Sequence, residues 1–133
     1  MRKLATLLAT AALMTGTAVA AHADTPIYID KCSPTITVAP NITAKTCYHA
    51  SVYVDTYVSA NVQVVNNSPY SLSVRADLLV GSTTFNGDTI TIAPNSSDTA
   101  WGNSVTNPPG VSSTWVGRGY LSTGGWNTYT YSN

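Results

Sequence analysis

The stretch Tyr48-His49-Ala50-Ser51-Val52-Tyr53-Val54-Asp55-Thr56-Tyr57-Val58-Ser59-Ala60-Asn61-Val62-Gln63-Val64 changes character at every step. Its even positions are apolar or small: Tyr48, Ala50, Val52, Val54, Thr56, Val58, Ala60, Val62 and Val64. The odd positions His49, Ser51, Tyr53, Asp55, Tyr57, Ser59, Asn61 and Gln63 are mostly polar. Period two marks a strand with one buried and one wetted face, because successive Cβ atoms leave the pleat on opposite sides. As one extended strand the run would measure about 56 Å, far beyond the usual strand length, so it must bend or break; Ser59 to Asn61 is the expected place.

Toward the C-terminus, Asn66-Asn67-Ser68-Pro69 reads as a turn, after which Tyr70, Leu72, Val74, Ala76 and Leu78 resume the apolar even face. Gly81 marks a change of phase, since the next large apolar residue, Phe85, is odd-numbered. A β-bulge at Gly81-Ser82 would return it to the core side. Asn86-Gly87 reads as a two-residue hairpin turn, with the strand Asp88 to Ala93 pairing back and burying Ile90 and Ile92. Gly102 to Ser113, containing Pro108-Pro109-Gly110, is the longest expected loop, and Thr114 to Leu121 with Thr128 to Tyr131 form a last hairpin around Gly124-Gly125. Early strands near Ile27 to Ile29 and Thr35 to Val38 bring the total to about seven to nine. That pattern predicts an all-β fold, an Ig-like two-sheet antiparallel sandwich, with a small β-barrel as the alternative.

At the N-terminus, Arg2 and Lys3 precede an uncharged run from Leu4 to Ala21 and the small-x-small triplet Ala21-His22-Ala23. This is the pattern of a cleaved secretory signal peptide over residues 1–23, leaving a single domain over 24–133. The remaining chain holds four basic residues (Lys31, Lys45, Arg75, Arg118) against six Asp and no Glu, a formal charge of −2 with His49 neutral. Such a balance lacks the basic footprint of a nucleic-acid binder, and after cleavage no integral membrane association is expected. Cys32 and Cys47 both lie in the exported part, where an oxidising environment preserves disulfides. A bridge between them closes a loop worth about 3 kcal/mol in the chain-entropy model. Zinc is the weaker reading of the two thiols, since only His49 is available beside them.

Catalytic chemistry is sparse. Any Ser-His-Asp mechanism would have to use His49, whose strand neighbour Asp55 is about 20 Å away along an extended chain. No nucleophile-elbow motif is present, so His49 reads as an exposed bystander. The Asp residues sit mostly at turn ends, where Asp is favoured for local hydrogen bonding, and no calcium-loop pattern surrounds Asp88. No enzyme, cofactor or metal is expected. The aromatic complement says more: 8 Tyr and 3 Trp against 1 Phe. Tyr and Trp pair an apolar body with a polar handle and suit half-wet binding surfaces. Tyr53 and Tyr57 fall on the polar face of the decisive run, and Trp126 stands at the final hairpin turn, so these three are the candidate ligand-binding residues. The strip Trp115, Gly117, Gly119 and Leu121 would either leave a shallow groove for a ligand or admit another backbone. The expectation is a secreted, extracellular, non-enzymatic binding domain whose partner is carbohydrate, such as a polysaccharide or cell-wall surface, or protein. The alternatives are an inhibitor of an extracellular hydrolase presenting the loop Asn103 to Ser113, and a self-associating structural surface protein.

Overall fold

Ten strands occur among residues 25–133, the part of the chain that the structure, a computed structural model, describes. The signal peptide expected over residues 1–23 lies outside the described residues. The strands are β1 (Ile27–Cys32), β2 (Ile36–Ala39), β3 (Ile42–Val52), β4 (Thr56–Asn66), β5 (Leu72–Val80), β6 (Thr83–Ile92), β7 (Ser96–Trp101), β8 (Val105–Thr106), β9 (Trp115–Ser122) and β10 (Asn127–Tyr131). A first sheet runs β1-β3-β4-β7, with β2 also paired to β3 and β8 to β4; a second runs β10-β9-β5-β6. All the pairings are antiparallel, and both sheets end in open edges, giving a two-sheet sandwich and no closed barrel. The strand number exceeds seven to nine partly because the expected loop after Gly102 contributes the short β8.

The decisive run is a hairpin, not a bent strand. It breaks at Tyr53 to Asp55, where the Tyr53 amide donates to the Asp55 carbonyl, and not at Ser59 to Asn61, which lie inside β4. Val52 pairs with Thr56 and Tyr48 with Ala60, so even residues oppose even residues throughout. A connection of three residues preserves parity, which is why the alternation passed through the turn unchanged. Val54 is at the tip, 83% exposed, and is not part of the core.

The next hairpin behaves oppositely. Val80 pairs with Thr83 across Gly81-Ser82, where Gly81 has φ 58°, a left-handed conformation that glycine adopts without a Cβ clash. A two-residue turn inverts parity and directs the odd-numbered Phe85 against the core. Gly81-Ser82 is therefore the turn, and Asn86-Gly87 lies inside β6. There the register shifts: Asp77 opposes Asn86 but Arg75 opposes Thr89, so Gly87 and Asp88 together face Ala76. This bulge restores even parity, directing Ile90 and Ile92 inward.

The core lies between β3 and β4 of one sheet and β5 and β9 of the other. One cluster gathers Ile42, Ala44, Ala60, Val62, Val64, Leu72, Val74, Ala76, Ile92, Ala100 and Leu121, and a second gathers Tyr48, Ala50, Val58, Leu78, Val80 and Trp115. Between them the buried Thr46 and Thr130 hydroxyls hydrogen-bond at 2.6 Å. At this waist the sheets approach closely, since a Cβ at Gly117 would come 2.5 Å from the Cys47 carbonyl oxygen and one at Gly119 2.7 Å from Val62 Cγ2. The glycine strip thus accommodates the facing sheet. Trp115 and Leu121 on either side of it are core residues.

Candidate functional site

Directly opposed residues of an antiparallel sheet project to the same side, so the register defines rows across the outer face of the first sheet. One row is Tyr28–Ser51–Tyr57–Thr106, the next Asp30–His49–Ser59, and the third Cys32–Cys47–Asn61–Trp101. In the first row Tyr28 and Tyr57, 73% and 47% exposed, flank Ser51 on strands two apart, a backbone separation of about 10 Å. With Asp30, His49, Ser59 and Ser104 they line a cleft of about 270 Å³.

His49, expected to be exposed, is only partly so and lines the floor of this cleft with both ring nitrogens engaged. Its Nδ1 hydrogen-bonds the Asp30 carboxylate across the β1–β3 pair, and its Nε2 lies 2.6 Å from Asn61 Nδ2. An amide nitrogen only donates, so in this arrangement Nε2 accepts from Asn61 and Nδ1–H points toward Asp30. Trp101 packs on the imidazole, with ring centroids 5.8 Å apart and planes at 36°. Asn61 is buried beneath these groups, and its Oδ1 has no partner among the described residues. Because both imidazole nitrogens are engaged, neither is presented to the hydroxyls of Ser51 or Ser59.

The Cys32–Cys47 disulfide fixes β1 beside β3 in the third row, with Cα atoms 4.0 Å apart. It holds the strand that carries Tyr28 and Asp30. The far end of the cleft is fixed by the segment after β7. Asn107, at φ 49°, accepts from the Thr56 amide at 2.8 Å and donates to Asp55 at 2.9 Å. Beyond it, Trp115 Nε1 donates to the Pro109 carbonyl and the Tyr48 hydroxyl to that of Ser112. Pro108 is buried. The segment 103–113 is thus tied along the end of the sandwich.

Compared with known proteins, the chain matches no family model, no curated protein and no solved structure.

The three aromatics singled out from sequence are not brought together. Tyr57 lines the cleft; Tyr53, 51% exposed, sits on the β3–β4 turn beyond the first row. Their four-residue spacing does not place them on one strand, because the chain reverses between them. Trp126 lies at the opposite end of the sandwich, half-buried against the cluster containing Ile42 and lining a separate cleft with Tyr70. Tyr28, Asp30 and Trp101 were missed. Tyr28 and Asp30 carried a signal, the alternation of Ile27-Tyr28-Ile29-Asp30 with polar residues at even positions. For Trp101 the sequence offered none.

The outer face of the second sheet is built differently. Its rows are Tyr129–Tyr120–Arg75–Thr89 and Tyr131–Arg118–Asp77–Asn86. Asp77 is fully buried there, accepting from Arg75 Nε at 2.7 Å and Nη2 at 3.1 Å and from Arg118 Nη2 at 2.9 Å and Nε at 3.2 Å. Arg75 lies over the Tyr120 ring at 5.2 Å and Arg118 over Tyr129 at 4.6 Å. The hydrogen bond that Arg75 donates to Asp77, which outweighs desolvation, raises the Arg75 pKa above its already high ordinary value. Among the described residues no cluster of three or more His, Cys, Asp or Glu could hold a metal ion.

Proposed function

We propose that the chain is a secreted, non-enzymatic binding domain that takes extracellular polysaccharide on the outer face of the first sheet. The observation that carries this reading is the pair of solvent-exposed rings, Tyr28 and Tyr57, on either side of a cleft floored by serine hydroxyls and an immobilised imidazole. Such rings offer rigid contact area to the apolar faces of sugars while their hydroxyls stay wet, and the polar floor supplies donors and acceptors for sugar hydroxyls. Sequestration of both His49 nitrogens favours binding over turnover, since a general base needs a free nitrogen within hydrogen-bond reach of its proton. The disulfide fits an oxidising, extracellular location. Inhibition of a hydrolase through residues 103–113 has less support, because that segment is hydrogen-bonded along the sandwich end through Asn107, Pro109 and Ser112.

Retention on insoluble cellulose, chitin and xylan tests the proposal. The expected result is retention of the wild-type chain on at least one of them, lost in Tyr28→Ala and Tyr57→Ala. Retention that survives the loss of both rings would overturn it.

A further inference from the structure

Half of the basic residues that follow the expected leader, Arg75 and Arg118, converge on one carboxylate in the middle of the second sheet's outer face. Two guanidinium groups against one buried Asp leave a formal charge of +1. Asp88, on the neighbouring bulge, forms no ion pair with either arginine. Each arginine uses Nε and Nη2 on Asp77, and neither Nη1 has a partner among the described residues. A guanidinium carries five N–H donors, so each arginine keeps unspent donors. Both side chains retain some exposure, 25% and 18%. Tyr129 and Tyr131, nearly half exposed, border them.

We infer that this face is a second binding site, for the carboxylate groups of an acidic, uronate-bearing polysaccharide. Asp77 fixes both guanidinium planes, and Tyr120 and Tyr129 stack on them, so the forks are ordered before an anion arrives. Preordering lowers the conformational cost of binding. The surrounding side chains, Tyr129, Tyr131, Thr89 and Thr91, offer hydroxyls and ring surface suited to sugar. The site lies on the opposite face from the cleft of Tyr28 and Tyr57 and does not depend on it.

The Nε–H resonances of Arg75 and Arg118 read the site directly in the intact protein, during titration with hexagalacturonate, sodium acetate, a neutral xylo-oligosaccharide and poly-glutamate. Expected are saturable shifts of both resonances with hexagalacturonate, weakened when salt is raised from about 0.05 to about 0.5 M. Acetate should give the same shifts at much higher concentration, and the neutral sugar none. Arg118→Gln should weaken binding by about tenfold or more. If that variant does not fold, Arg75→Lys, which keeps the charge but loses the fork, should likewise weaken binding, and unchanged binding there would overturn the site. Unmoved arginine resonances, or equal shifts with the neutral sugar, would overturn the site. Poly-glutamate binding as tightly as hexagalacturonate would overturn its assignment to a polysaccharide.

Discussion

On the outer face of the first sheet, Tyr28 and Trp101 stand largely in solvent and Tyr57 about half so, and the hydrogen bond beneath them, between His49 and Asp30, is itself partly exposed. On the outer face of the second sheet, Tyr120 and Tyr129 pack on each other with centroids 5.1 Å apart, and guanidinium groups stack on them around a carboxylate with no exposure at all. The same residue type thus serves two ends. Where rings clamp arginines around a buried charge, removing a group should damage the fold; where rings stand free, removing one should damage only what the surface binds.

Among the outer-face residues, the largest effect is expected at Asp77. Asp77→Ala leaves two guanidinium groups facing each other without their shared carboxylate, a loss of about 3 kcal/mol, at the low end for a broken buried pair because both arginines keep some water. Urea denaturation measures it, and a loss below about 1 kcal/mol would show that the second face is no more structural than the first. The corresponding substitution on the first face, Asp30→Ala, should cost about 1 kcal/mol or less, since Asp30 is exposed and solvent screens the contact. Imidazole nitrogen shifts should report the Nδ1–H tautomer in the wild-type chain and its loss in this variant. The smallest effect is expected at Val54, at the tip of the hairpin: Val54→Ala should change stability by less than about 0.5 kcal/mol. A loss of core size there would mean that the parity on which both faces rest is misread, and Leu72→Ala, fully buried, provides the contrast at about 2–5 kcal/mol.

The sandwich was legible because one face of each long strand is uniformly apolar, and an even-to-even register kept that pattern visible through the β3–β4 turn. That same regularity concealed where the turn lies. Around Gly81 the reverse happened: the change of phase was visible, but a tight turn and a later bulge each invert parity, and alternation alone does not say which comes first. The site was less legible than the fold. His49 meets Asp30 and Asn61, and Asp77 meets Arg118, only through register across strands, at sequence separations of 19, 12 and 41. Geometry along one strand had rightly excluded Asp55 as a partner of His49 and had no means of finding Asp30. Tyr57 emerged because its own strand marks it as outward-facing. Tyr28 lay on a short edge strand whose alternation is too brief to stand out.

The central claim, that the rings of the first face serve neutral-polysaccharide binding alone while those of the second face also hold the fold, is tested most directly by measuring polysaccharide retention and unfolding midpoint side by side for Tyr57→Ala and Tyr129→Ala. Tyr57→Ala should lose retention with its midpoint nearly unchanged. Tyr129→Ala, which strips the ring stacked on Arg118, should lose about 1 kcal/mol or more of stability while retention on a neutral polysaccharide persists. Equal losses of stability in both variants, or retention unchanged in Tyr57→Ala, would contradict the account.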